Sequence, residues 1–111
     1  MKLPGRDRAQ VDPAKVRDYL LSPDHAVGRS KARWFAGLGF SRANWPELQW
    51  ALLEIARDGE AREGRPSPYG RKYEVRATLM RTRGRSAALV TVWIVSADDD
   101  FPRFVTAYPG E

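Results

Sequence analysis

The sequence predicts an α+β fold: two to three N-terminal helices packed on one face of a four- or five-stranded antiparallel sheet. Three observations predict it. Helical periodicity fills the first half of the chain, period-two alternation fills the second, and short turn signals join the strands as hairpins. With 111 residues the chain is long enough for one modest core and too short for two. We read 1–10 as an irregular lead-in and 11–111 as a single α+β domain.

The first helix is expected in "VDPAKVRDYLL". Asp12 can cap it, Pro13 suits the first helical position, and Val16, Tyr19 and Leu20 make one apolar face. "SPDHAVG" breaks that pattern. A second helix is expected over "RSKARWFAGL", with Ala32, Phe35 and Ala36 inward and Gly39 ending it. The third, "NWPELQWALLEIARDG", has Asn44 and Glu47 at capping-box spacing, Pro46 early, a Leu48–Leu52–Ile55 stripe, and Gly59 as its stop.

Strands follow. A weak one is expected in Glu60 to Arg65. In "YGRKYEVRATLM", Tyr73, Val75, Ala77 and Leu79 alternate with Glu74, Arg76 and Thr78. After the turn "RTRG", the near-continuous apolar run "RSAALVTVWIVS" reads as a central strand. After "ADDDFP" comes "RFVTAYP", in which Phe104, Thr106 and Tyr108 share one face and Val105 and Ala107 the other. Matching apolar sides puts Val75, Ala77, Val90, Val92, Ile94, Val105 and Ala107 under the helices. Arg76, Thr78, Thr91, Trp93, Thr106 and Tyr108 are then expected on the other face, and a bulge or one-residue slip would exchange part of this set.

Composition narrows the function classes. The apolar fraction of 42% and charged fraction of 30% fit a globular chain. No apolar run reaches bilayer length, so no membrane association is expected. "MKLPGRDRAQ" lacks the apolar h-region of a signal peptide. The absence of cysteine excludes disulfides and thiolate metal sites, and the expected location is the cytoplasm. Nineteen Lys and Arg against fourteen Asp and Glu, with a pI near 10.0, favour a polyanionic partner, nucleic acid first.

His25 is the single histidine and the most available proton-transfer group. Lys31 follows at the start of the second helix, flanked by Arg29 and Arg33. No metal is expected with one His and no Cys, and "DDD" at Asp98 to Asp100 reads as a solvated turn. No phosphate-binding Gly loop and no Gly-x-Ser-x-Gly elbow is present, and no cofactor is expected. Cleavage of RNA by its own 2′-hydroxyl still fits these residue types. It needs a base, an acid, and donors for the charge growing on the phosphate. His25 can serve as base or acid, and Lys31 or an arginine can stabilise the phosphorane-like transition state. Thr106 can donate to a phosphate oxygen. Tyr108 can orient substrate, donate a proton or stack a base. Arg29, Arg71, Lys72, Arg76 and Arg103 are the candidate phosphate contacts. Trp34 and Trp50 fit an interface or a fuller core equally.

"LLSPDHAVGRSKARWFAGLGFSRANWPELQWAL", "YGRKYEVRATL", "GRSAALVTVWIV" and "PRFVTAYP" together resemble a widespread bacterial and cyanobacterial family of small uncharacterised domains. More distantly, a His after the first helix, an antiparallel sheet and a terminal "VTAYP" strand are similar to EndoU-like ribonuclease toxins of the barnase–EndoU–colicin–RelE superfamily. That resemblance implies a metal-independent endoribonuclease whose open sheet face holds RNA, with His25 as the counterpart of the catalytic histidine. EndoU-like enzymes generally use more than one histidine, so Lys31 or an arginine such as Arg71 takes the second role. It further implies a toxin–antitoxin pair in which a small acidic protein covers the basic face. Two rival readings remain: a binding module holding RNA or protein on that face, and an antitoxin or immunity-like partner protein.

Overall fold

The computed structural model describes residues 1–81 and 84–110. Part of the expected "RTRG" turn, residues 82 and 83, lies outside the described residues. A 3₁₀ turn over Arg6–Arg8 precedes helix α1, Pro13–Lys15, which passes directly into a π-helical turn over Val16–Leu20. Helix α2 spans Arg29–Ala36, and a 3₁₀ turn over Arg42–Asn44 leads into α3, Trp45–Asp58. Strands β1 (Glu60–Ser67), β2 (Gly70–Met80), β3 (Ser86–Ser96) and β4 (Arg103–Pro109) form one antiparallel sheet in the order β1-β2-β3-β4. The α+β architecture is as the pattern predicts.

Local signals explain most element ends. The Asp12 carboxylate accepts from the Ala14 N–H at 2.9 Å, and Pro13 occupies the first helical position. The π turn closes with the Leu21 N–H donating to the Val16 carbonyl at 3.0 Å. Its wider turn changes the phase of the helix face. Val16, Leu20 and Leu21 are buried, while Tyr19 lies half-buried at the side. The expected Asn44–Glu47 cap is replaced by a box three residues earlier, Ser41–Asn44. The Ser41 hydroxyl accepts from Ala43, and the Asn44 side chain accepts from the Ser41 N–H at 2.7 Å and donates to the Gly39 carbonyl at 3.0 Å. Helix α2 ends at Ala36 rather than at Gly39, whose φ of 89° belongs to the loop that follows.

The register corrects the expected faces. Ala61, Val75, Thr91 and Ala107 form one cross-strand row, and Tyr73, Trp93 and Phe104 another, and every one of these residues is buried. Thr91 and Trp93 therefore sit in the buried layer rather than on the open face. Val90, Val92 and Ile94 fall on the opposite face, in rows with Arg76, Glu74 and Lys72. The driving force is the Trp93 side chain, the largest fully buried one, packed edge-on against Phe104 at 5.4 Å. Thr91 is tolerated there because its hydroxyl donates to the Val75 carbonyl at 2.9 Å and accepts the Trp93 indole N–H at 2.8 Å.

A bulge in β4 produces the second correction. Val92 pairs with Thr106 but Trp93 pairs with Phe104, so Val105 is the extra residue. Phe104 and Thr106 consequently fall on opposite faces, and only Thr106 and Tyr108 of the expected trio stay together. Val105 is half-buried at the bulge rather than in the layer under the helices.

Candidate active site at the sheet edge

β4 is an edge strand, and the helical half of the chain is threaded against its outer side. The Phe104 N–H donates to the Gln10 carbonyl and the Gln10 N–H to that of Pro102, both at 2.9 Å. This pairing sets α1 and its π turn beside the bulge. The "SPDHAVG" loop then returns the chain so that α2 starts over the π turn. Gly28 makes that approach possible: a Cβ there would collide with the backbone carbonyl of Tyr19.

His25 organises the same loop. Its Nδ1 accepts the backbone N–H groups of Val27 at 3.1 Å and Gly28 at 3.0 Å, which fixes the turn that leads into α2. With Nδ1 accepting, the hydrogen-bond network assigns the proton of the neutral ring to Nε2, the atom left available for a ligand. The imidazole lies edge-on to the Tyr19 ring at 5.2 Å.

Lys31 is the centre of the arrangement. Its Nζ donates to the Tyr19 phenol and to the Thr106 hydroxyl, each at 2.8 Å, and stands 5.1 Å from the Tyr19 ring centroid. The two hydroxyls are 3.4 Å apart. Burial of the Tyr19 phenol opposes its ionisation. The Lys31 and Thr106 hydrogen bonds and the charges of Lys31 and Lys15 together outweigh that effect, and the phenol lies below the ordinary tyrosine range. His25, Tyr19, Lys31, Thr106 and Val105 line one open depression of about 520 Å³, bounded on the other side by Asp12 and Lys15.

The structure thus brings three of the four expected central residues together: His25, Lys31 and Thr106. Tyr108 stands one step along β4 from Thr106 on the same face, outside the depression, and its hydroxyl donates to Glu74 at 3.2 Å. Burial, with the adjacent Glu74 charge, holds its phenol above the ordinary range. The residue that sequence reasoning missed is Tyr19. Its spacing from Val16 and Leu20 reads as a core position, and nothing local announces the π turn that moves it to the side.

The expected phosphate contacts divide by position. Lys72 and Arg76 are exposed and share the open face with Thr106 and Tyr108, joined by Arg62 from β1. Arg71 is one residue out of phase, facing the Tyr73 side near the β1–β2 hairpin. Arg103 is paired with Asp99 at 3.1 Å and stacked on Phe101 at 4.8 Å. Arg29 points to the far side of α2, where it lines a separate groove with Arg33 and Arg42. Trp34 packs edge-on to Phe35 at 5.0 Å at the margin of the core, whereas Trp50 is exposed. Among the described residues no cluster of metal-ligating side chains occurs, and no helix is long and apolar enough to cross a membrane.

A family model described as a domain of unknown function, DUF6883, matches residues 2–111. No curated protein matches the chain. Among solved structures, the chain is similar to one in a contact-dependent growth inhibition toxin–immunity protein complex from Klebsiella pneumoniae 342. The TM-score is 0.70 at 16% identity, covering 96% of this chain and 97% of that one. At that identity the likeness is one of fold.

Proposed function

The chain belongs to the DUF6883 family, whose function is unknown, and from its geometry we propose that it is a metal-independent endoribonuclease, the toxin of a toxin–antitoxin or toxin–immunity pair. The observation that carries this reading is the Lys31 ammonium held between the Tyr19 and Thr106 hydroxyls in a depression that His25 also lines. Attack of a ribose 2′-hydroxyl on its own phosphate develops charge on the non-bridging oxygens and requires proton removal from the nucleophile. Lys31 has a third N–H beyond the two engaged, and Thr106 keeps its O–H; both can donate to those oxygens. His25 presents Nε2–H as a further donor. Its Nδ1 is committed to the loop, which favours phosphate stabilisation or proton delivery over proton abstraction. Tyr19, whose neighbours favour its ionised form, accepts the 2′-hydroxyl proton as the phenolate and becomes the neutral phenol. Lys72, Arg76 and Arg62 on the open face supply backbone contacts along the RNA, and Tyr108 borders the path.

The structural neighbour supports a protein partner, since that chain was solved in a complex of a toxin with its immunity protein. A small acidic protein covering this basic face would occlude the depression. The same observation supports a second reading, in which the chain is the immunity-like member and has no activity of its own.

The deciding experiment incubates the purified protein with total RNA in EDTA, beside His25→Ala and Lys31→Met, and analyses fragment ends. Cleavage that survives EDTA, leaves 2′,3′-cyclic phosphate ends and is lost in folded variants establishes the enzyme. Intact RNA with folded wild-type protein overturns it.

A further inference from the structure

A second surface lies at the other edge of the sheet. β2 runs to Met80, but β1 covers its outer side only as far as Arg76, which pairs with Glu60. Ala77 to Met80 pair with β3 alone. In an antiparallel ladder each residue points its N–H and C=O to the same side, and neighbours alternate. The Ala61 N–H donates outward to the Met1 carbonyl at 2.8 Å, so Glu60 and Arg62 face β2. Their partners Arg76 and Glu74 face β1, and by alternation Thr78 and Met80 point their backbone groups the same way, beyond the end of β1. Among the described residues no hydrogen bond reaches those groups.

A groove of about 590 Å³ runs between this open edge and α3. Ala51, Ile55 and Leu79 supply apolar lining; Glu47 is paired with Arg81 at 3.7 Å, and Glu54 supplies a further acidic group. Trp50 and Met80 line it too, at 61% and 71% exposure, among the most exposed large apolar side chains of the chain. An unpaired strand edge beside exposed apolar side chains is a combination that folded proteins otherwise cover.

We infer that the outer edge of β2 at Thr78–Met80, with the α3 groove, accepts an extended segment of a partner protein as an added strand. Main-chain hydrogen bonds to Thr78 and Met80 set its register, and alternate side chains enter the groove. The entering residues are apolar, against Trp50, Ala51 and Ile55, with a basic one opposite Glu54. A second copy of this chain fits less well, because it brings another Glu54 to the same place and, among the described residues, no basic residue of its own groove is free to meet it, Arg81 being paired with Glu47 at 3.7 Å. The site is independent of the depression on β4, so it provides for a partner whether or not the chain cleaves RNA.

The test uses the whole protein and a blocked hexapeptide, Val-Thr-Lys-Thr-Val-Thr, in which the two Val and the Lys share one face, with a version N-methylated on alternate residues of its pairing edge. Amide exchange at Thr78 and Met80 is expected to slow on peptide addition, with Ala77 and Leu79 unchanged. The N-methylated peptide is expected to bind about tenfold or more weakly, as loss of main-chain hydrogen bonds requires. Thr78→Pro removes only an outward N–H and is expected to weaken binding similarly, and Trp50→Ala tests the groove wall in a variant certain to retain the edge. Absence of binding at millimolar peptide, equal binding of the N-methylated version, or exchange changes that miss Thr78 and Met80 would overturn the proposal. A concentration-dependent dimer abolished by Thr78→Pro would also overturn it, by identifying the occupant as a second copy.

Discussion

The Lys31 ammonium lies 2.8 Å from the Thr106 hydroxyl, although 75 residues separate them in the chain. That contact joins the N-terminal turn of α2 to the edge strand of the sheet, and Tyr19 from the π turn completes it at 2.8 Å. Three elements distant in sequence therefore converge on one positive charge.

Lys31→Met keeps most of the side-chain volume and removes the charge. The Tyr19 and Thr106 hydroxyls, 3.4 Å apart, can then bond each other, so the fold is expected to survive. RNA cleavage is expected to fall by about 10²–10³-fold, the loss typical of one pre-positioned donor to developing charge. Single-turnover rates alongside thermal denaturation check both halves.

Alkaline titration separates the tyrosines. Tyr19 has a lowered pKa in the folded protein, so its contribution to stability is complete above the unfolded value and disappears as pH falls through the folded one. Tyr108 has a raised pKa, and its contribution is complete below the unfolded value and lost as pH rises through the folded one. Near-ultraviolet phenolate absorbance is expected to show one early transition. Tyr19→Phe should delete it and Lys31→Met should move it upward; an early transition that persists in Tyr19→Phe belongs to another residue.

Thr91→Val is nearly isosteric and tests the buried polar pair. It removes the bond to the Val75 carbonyl and strands the Trp93 indole N–H in the core. A loss of about 1–3 kcal/mol is expected, the cost of a buried donor without a partner. Urea unfolding followed by tryptophan fluorescence measures it, and a neutral result would mean that the indole finds another acceptor.

Charge reversal distinguishes the basic residues that sequence alone treats alike. Lys72→Glu and Arg76→Glu are expected to weaken RNA binding and to lower the slope of log affinity against log salt by about one for each phosphate no longer neutralised. Arg29→Glu and Arg71→Glu, which face elsewhere, are expected to change little. Filter binding over a range of salt concentrations reads both effects.

Order and type of the elements were legible in the sequence because each rests on local signals. Asp12 and Pro13 begin the first helix, the Leu48–Leu52–Ile55 stripe marks the third, and alternation from Tyr73 to Leu79 is a near-neighbour pattern. His25, Lys31 and Thr106 could be named for their chemistry, but nothing local says that they meet. Tertiary structure decided the rest. The volume of Trp93 chose the buried face of β3 against the apparent logic of Val90, Val92 and Ile94. One extra residue at Val105 put Phe104 in the core and left Thr106 outside it, and a π turn moved Tyr19 from the core stripe to the Lys31 ammonium. Register and helix phase are cumulative: a one-residue offset turns every following side chain, and packing across the whole layer, rather than any local preference, determines where that offset falls.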